Sequence, residues 1–349
     1  MKHVEPHRTA ISNNRAGGAP GSVLLVVLWW LLILSVMAIA LQSYVRPRLA
    51  LAARLRDSSS LHYCATAALR LAMAVVAEDE NPAVDALNDN WSANEAAFRD
   101  IELGENVTFS LGYRQGEDVH GEPRIYYGMS DEERRLNLNR APREVLERMF
   151  EQIAGLSPLQ AGPLAAAVID WRDADDRPEK YGAEDIWYRS LDPPYRCKNA
   201  PFQAVEELNL IKGMNESVYR RIAAFVTVWG TGAVNVNTAS PEVLSCTGLG
   251  PRVVRAIRRY RAGPDGRDGT ADDVPLESVA DMVKAITAAA GLSNDDEREF
   301  RQVVSSGMLT VRSDNFRGQV WRQLDNRGSG VHITFVFNRN GVIRYWQEF

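Results

Sequence analysis

Apolar and polar residues are unevenly distributed along this chain. From Val23 to Leu41, nineteen consecutive residues, VLLVVLWWLLILSVMAIAL, carry no charge. As a helix this run spans about 28 Å, the thickness of one hydrocarbon core. Lys2, Arg8 and Arg15 precede it, against the single acid Glu5. That excess of base predicts a cytoplasmic amino terminus, with roughly 300 residues on the far side of the membrane. Beyond Arg46-Pro47-Arg48 the pattern becomes one-sided: Leu61, Ala65, Ala68, Leu69, Ala72, Val75 and Val76 recur at helical spacing. Pro47 predicts a kink, Ser58-Ser59-Ser60 a hinge or a solvated patch, and Asn81-Pro82 the end of the helix. A helix apolar through a membrane and amphipathic outside it needs a sheet or partner helices over its outer half.

Strand patterns follow. Val107–Tyr113 and Arg124–Gly128 alternate, and the next strong signals come only at Met308–Arg312, Gln319–Leu324, Val331–Phe337 and Val342–Trp346. Asn338-Arg339-Asn340-Gly341 predicts a tight hairpin between the last two. The residues between these two groups of strands read as helical. The pattern therefore predicts an α+β fold: a long N-terminal helix packed on an antiparallel sheet, with a large inserted α-helical domain. The expected boundaries are a leader over 1–21, the long helix over 22–80, the first part of the body over 81–135, the insertion over 136–305 and the closing strands over 306–349.

The insertion contains a duplication. Residues 136–146 read LNLNRAPREVL and residues 234–244 read VNVNTASPEVL, at a constant offset of 98. In each copy a short strand runs into a helix start. In the second, Ser240 is the predicted N-cap and Pro241 the first helical residue. Gly248-Leu249-Gly250-Pro251 then resembles the turn of a helix-hairpin-helix element, with a looser version at Leu208–Ala223. Such hairpins present backbone amides to DNA phosphates, and Arg252, Arg255, Arg258, Arg259 and Arg261 follow this one. A membrane-anchored DNA-binding protein is thus one reading of the insertion, and a protein-packing unit with a solvated arginine face is the other. Composition favours packing: the 349 residues carry a net charge of −5, and the remaining hairpins have no basic cluster.

Catalytic signals are missing. The five histidines form no HExxH pattern, and no P-loop, nucleophile elbow or strand-linked GxGxxG occurs, so the chain reads as a non-enzyme. Three cysteines, Cys64, Cys197 and Cys246, are too few for a disulfide framework; Cys197 and Cys246 either pair or join Cys64 as buried thiols. Two acidic loops are the candidate chemistry. One holds Asp173, Asp175, Asp176, Glu184 and Asp185, the other Asp265, Asp268, Asp272 and Asp273. Clustered carboxylates repel one another unless a hard cation neutralises them, and Ca²⁺, with six to eight oxygen ligands, suits such loops. Solvated turns capping helices are the alternative.

Three readings fit the amino terminus: a secretory signal peptide ending at Ala38-Ile39-Ala40, a plain anchor, and a prepilin-type leader cut after Gly21 to leave Ser22 first. The junction Gly21-Ser22, where a polar leader meets the apolar helix, carries the third. Together with DWRDADDRP and the GAED, WY, PY and GM elements between Asp170 and Met214, it resembles the type II secretion system protein K family, the minor pseudopilins. That resemblance implies a pilin-like body with an inserted α-domain, and calcium at the first acidic loop. It also implies cleavage after Gly21 by a prepilin peptidase, methylation at Ser22, and a single-pass anchor in the inner membrane with a periplasmic body. The expected partners are two other minor pseudopilins, of the I and J types, and the major pseudopilin, with no nucleic acid. The expected role is to cap the tip of the periplasmic pseudopilus and support protein export. Pilin-like subunits usually carry glutamate at the fifth mature position, where it pairs with the neighbouring subunit; here that position is Val26, which suits either a subunit with no upper neighbour or an ordinary anchor helix.

Overall fold

A computed structural model of the chain describes residues 21–104, 107–117, 123–321 and 332–348. Residues 1–20 of the predicted leader, 1–21, lie outside the described residues, as do the ends of two predicted strands at 322–324 and Val331. Residues up to Ser59 form one unit and residues 60–349 a second.

Helix α1 runs Gly21–Ala77 with Pro47 inside it, the predicted processing pair Gly21-Ser22 stands at its start, and a short α2 (Glu95–Phe98) follows later in the chain. In the first unit Val23–Leu49 is long and apolar enough to cross a membrane, and none of it is buried. Val26 is among its exposed residues. The helix continues through Ser58–Ser60. In the second unit its carboxy-terminal part buries Leu61, Cys64, Ala65, Ala68, Leu69, Ala72 and Val76. This is the predicted stripe, with Val75 at its margin. Small residues at every turn let the helix lie close on a sheet, where Phe109, Leu111, Phe316, Val320, Ile333, Phe335 and Phe337 complete the core.

That sheet is built from β1 (Ile101–Glu102), β2 (Thr108–Glu117), β3 (Pro123–Tyr127), β4 (Ser130–Asp131), β9 (Asn315–Trp321), β10 (His332–Asn338) and β11 (Ile343–Glu348). The path is β1-β2-β9-β10-β11, with β3 on β2 and β4 on β9. All its pairings are antiparallel. Register follows the two-residue period: Phe316, Val320, Ile333, Phe335 and Phe337 face α1, and their neighbours in sequence face away. The predicted turn is present, with Gly341 at φ 78° and its amide donating to Asn338 O at 2.8 Å.

Residues between β4 and β9 form the insertion, and those two strands pair directly, Ser130 opposite Arg317 and Asp131 opposite Phe316. The inserted chain therefore leaves and rejoins the sheet at neighbouring positions. It has its own core, around Leu146, Phe150, Ala165, Val168, Leu244 and Ile257.

The duplication is complete in three dimensions. In the first copy β5 (Leu136–Asn137) leads into α3 (Arg143–Gln152) and α4 (Pro158–Arg172), and returns through α5 (Asp185–Arg189) and α6 (Glu216–Ile222) to β6 (Val226–Thr227). In the second, β7 (Val234–Asn235) leads into α7 (Pro241–Cys246) and α8 (Pro251–Arg261), and returns through α9 (Val279–Ala290) and α10 (Asn294–Ser305) to β8 (Leu309–Thr310). Each copy closes with a parallel pair, Leu136 opposite Val226 and Val234 opposite Leu309. One expectation changes here. The strand at Met308–Arg312 belongs to the insertion rather than to the body, because alternation records burial on one face and not which sheet supplies it. The first-copy counterpart of the Gly248 hairpin is α3–α4, turning at Gly155 (φ 69°), and the looser version at Leu208–Ala223 is a 3₁₀ turn, Val205–Leu210, reversing at Gly213 (φ 84°) into α6.

Candidate metal centre

The asparagines of the two repeated segments act as clips. Asn137 Oδ1 accepts the amide of Asn139 at 2.8 Å, and Asn235 Oδ1 that of Asn237 at 3.0 Å. Asn139 then pairs with the backbone of Phe202 through both side-chain atoms, and Asn237 likewise with Leu276. An arginine at the end of the second helix of each copy completes the match. Arg172 donates to the carbonyls of Leu138 and Ala141, and Arg261 to those of Val236 and Ala239. Each acidic loop starts within four residues of that arginine, so the loops occupy the same place in the two copies.

The first loop is held by Asp170. Helix α4 opens on the capping residue Ser157 and on Pro158, and buries Ala161, Leu164, Ala165 and Val168. Its last turn carries Asp170 into the interior, where the residue is fully buried. Oδ1 accepts the amide of Glu179 at 3.0 Å and Oδ2 that of Ala183 at 2.6 Å. The approach is so close that a Cβ at Gly182 would sit 1.9 Å from Asp170 Oδ2. Folding the loop onto Asp170 brings Asp173, the C-cap of α4, and Glu184, the N-cap of α5, to the same point. Among the described residues, Asp170, Asp173 and Glu184 each offer a carboxylate oxygen, and these oxygens all lie within 4.8 Å of one another.

The electrostatics of this trio are unbalanced. Glu184 is 4% exposed, yet neither of its carboxylate oxygens accepts a hydrogen bond, and Oδ1 of Asp173 and of the adjacent Asn199 are also buried without a donor. Burial, followed by the charges of Asp170 and Asp173, pushes the Glu184 carboxyl up to about 7. Burial also raises Asp170, and burial together with Asp175 and Asp170 raises Asp173. Buried polar atoms without partners are costly. An all-oxygen cluster aimed at one point fits a hard divalent cation, Ca²⁺ above all. Asp170, Asp173 and Glu184 would hold it.

The other residues expected at this loop are used differently. Asp175 Oδ1 accepts the amide of Arg177 and Asp176 Oδ1 accepts from Asn199 Nδ2, both at 2.8 Å. Asp185 pairs with Arg189 at 2.6 Å and accepts the Cys197 amide. Sequence reasoning left Asp170 out of the candidate residues of this loop. The signal was available: Asp170 and Asp173 are three apart at a helix end, which puts them on one face.

The second loop neutralises itself. Asp268 is paired by Arg261, Nε to Oδ1 at 3.0 Å. Asp272 accepts from the Thr270 hydroxyl and the Asp265 amide, which hold its carboxyl below the usual range. Asp273 accepts from the Gly269 amide at 2.7 Å, and Asp265 from that of Arg267. The structure thus gathers three carboxylates in the first loop and ties the four of the second to donors of the protein itself.

Two other expectations are resolved. Cys64, Cys197 and Cys246 are all buried, Cys197 and Cys246 are not paired in a disulfide, and burial pushes the Cys197 and Cys246 thiols up to about 12. Of the five arginines after Gly250, Arg261 is buried on carbonyls and Arg252 lies 3.6 Å from Asp296, while Arg255, Arg258 and Arg259 are exposed. The basic face is smaller than its sequence.

Comparison with known proteins covers both halves of this fold. The family described as Type II secretion system (T2SS), protein K matches residues 129–231. The Type II secretion system protein K of Klebsiella pneumoniae is 30% identical over 239 residues, 64% of this chain and 67% of that one. Its Aeromonas hydrophila counterpart is 30% identical over 242 residues, 64% and 68%. A crystal structure of a GspK-GspI-GspJ complex from the enterotoxigenic Escherichia coli type 2 secretion system contains a chain with the same fold. The TM-score is 0.61 at 15% identity, covering 85% of this chain and 96% of that one.

Proposed function

Because this chain belongs to the type II secretion system protein K family, and so is a minor pseudopilin and a structural component of a secretion machine, we propose that it caps the tip of the periplasmic pseudopilus. The observation that carries this reading is the position of the insertion. About 180 residues leave and rejoin one sheet between paired strands β4 and β9, adding a bulky second core to a pilin-like body. A subunit so enlarged obstructs another above it, and the filament then grows from below. Val26 agrees: a buried acid is tolerable only with a partner, and a top subunit has none. The complex described for the Escherichia coli relative supports I- and J-type minor pseudopilins as partners, with the major pseudopilin beneath.

The apolar segment Val23–Leu49 fits a single-pass anchor, and the flanking positive charge supports an inner-membrane orientation with the body in the periplasm. Cleavage after Gly21 by a prepilin peptidase, and methylation of Ser22, follow from the leader's junction with α1. Calcium at Asp170, Asp173 and Glu184 would brace the first copy of the repeat, supplying charge neutralisation and no chemistry. The four acids of the second loop are a weaker calcium site, since their oxygens already have donors.

Co-expression with a prepilin peptidase tests the processing step. The wild-type chain is expected to shift to a shorter form and Gly21→Val to stay long; identical mobility of the two excludes a prepilin. Co-purification with the I- and J-type subunits tests the assembly, and a full chain that never retains them overturns the tip position.

A further inference from the structure

Between β4 and the insertion the chain reads Asp131-Glu132-Glu133, and the three acids have different partners. Glu132 serves two guanidiniums, Arg135 at 2.7 Å and Arg317 at 2.5 Å. Asp131 and Glu133 go instead into the joint where the insertion leaves and rejoins the body. Asp131 Oδ2 accepts the hydroxyls of Thr238 and Ser313, each at 2.7 Å. Glu133 accepts the side-chain amide of Asn315 at 2.8 Å and its backbone amide at 3.1 Å. Among the described residues these donors are all neutral, and Asp131 Oδ1 is buried with none. Asp85, beyond the end of α1, joins them. Its Oδ2 accepts the Ser313 amide at 2.7 Å and its Oδ1 the Arg339 guanidinium at 2.5 Å. Asn235 of the second repeat donates to Ser313 Oγ at 2.8 Å and to the Asp85 carbonyl at 3.1 Å. Asp85 and Asp131 are fully buried, and Glu133 is 3% exposed.

Three carboxyls thus meet in one buried place with a single guanidinium in contact, and that one is shared, since Arg339 also pairs with Asp79 at 3.0 Å. The other charges nearby are used elsewhere. Arg135 serves Glu132, Arg134 lies over the Tyr113 ring at 5.7 Å, and Asp314 pairs with Arg312 at 2.9 Å. Gly230 closes the place off, because a Cβ there would sit 2.7 Å from Glu133 Oε1. We propose that this joint is a proton-dependent latch: while Asp85 and Glu133 carry protons it holds the insertion to the body, and when both ionise beside Asp131 it loosens. Like charges buried with too few donors repel one another. Burial pushes Asp85 up to about 7 and Glu133 up to about 8; the Asp131 charge adds to both, against the hydrogen bonds from Ser313 and Asn315. An acid raised in the closed state contributes fully below its ordinary value, and that contribution is lost as pH rises through the closed-state value. The latch is therefore shut in mild acid and opens as pH passes about 7 to about 8. The inference is independent of the tip position and of calcium: it needs only the joint.

Amide hydrogen exchange of the full chain in detergent tests this, read by peptide mass at constant calcium and corrected for the intrinsic rate. From about pH 6 to about pH 8.5, protection of residues 130–136 and 310–316 is expected to fall at least about tenfold. Protection of the β10–β11 pair and of the buried part of α1 should stay the same. Glu133→Gln, which cannot ionise, should keep most of the joint's protection at the higher pH. Asp131→Asn removes the neighbouring charge and should move the loss to higher pH. If the glutamine variant does not fold, the wild-type series and Asp131→Asn decide. Equal joint protection across the wild-type series, full pH dependence in folded Glu133→Gln, an unmoved loss in Asp131→Asn, or a loss spread evenly over residues 60–349 would each overturn the proposal.

Discussion

Replacing Glu184 with glutamine should stabilise the cation-free protein and abolish its response to calcium. In the cation-free state a buried carboxylate with no donor lies against two others. Its folded carboxyl sits at about 7, against an ordinary value of 4.5. An acid raised in the folded state favours folding below its unfolded value, and that contribution is lost as pH rises from 4.5 through about 7. Discounted for solvent near the loop, the loss is about 1–2 kcal/mol by pH 7.5. A cation reverses the sign, since it binds the ionised trio. At 1 mM Ca²⁺ and a dissociation constant near 10 µM, linkage contributes about 2.7 kcal/mol. For a body of this size that raises the melting temperature by about 5 °C. The assay is thermal unfolding of the full chain in detergent, in EDTA and in 1 mM Ca²⁺, at pH 5.5 and 7.5. The calcium shift should be larger at pH 7.5. Glu184→Gln should melt at or above wild type in EDTA, and its calcium shift should fall below about 1 °C. A wild-type chain that melts identically in EDTA and calcium, or a glutamine variant that keeps the full shift, would refute the reasoning.

Further outcomes follow from other sites. Gly182→Ala drives a Cβ into Asp170 Oδ2, so it should cost about 2 kcal/mol or more in denaturant unfolding and also remove the calcium shift. Glu132→Gln leaves the guanidiniums of Arg135 and Arg317 without their carboxylate, and a lowered denaturation midpoint should report about 3–5 kcal/mol. Although burial works against it, Arg317 and Arg135 hold the Glu132 carboxyl at about 2. Its stabilisation is therefore full above 4.5 and should fade in acid titration from 4.5 down through about 2. Arg261→Met should cost about 3 kcal/mol, because two carbonyls and Asp268 lose their donor. Joint replacement of exposed Arg255 and Arg258 by alanine should shift stability by less than about 0.5 kcal/mol. A salt-sensitive DNA gel shift lost in that double variant would instead favour the DNA-binding reading.

Local pattern carried much of this protein. Nineteen uncharged residues, a helical stripe from Leu61 to Val76, the turn at Asn338–Gly341 and the paired LNLN and VNVN segments each act within a few residues of themselves. Their consequences are therefore readable in sequence. Long-range arrangement was not. Alternation at Met308–Arg312 showed a half-buried strand, but only the parallel pairing of Val234 with Leu309 assigned it to the insertion. The acid loops looked alike as strings of aspartates. What separated them was the fate of each carboxylate, set by distant donors: Arg261 reaches Asp268 in the second loop, while Arg172 is spent on carbonyls and leaves the first loop's trio uncompensated. Asp170 shows the same division. Its place at a helix end was visible in sequence, but its role depended on a chain reversal that brings Ala183 and Glu184 back to it, and only the tertiary fold makes that approach.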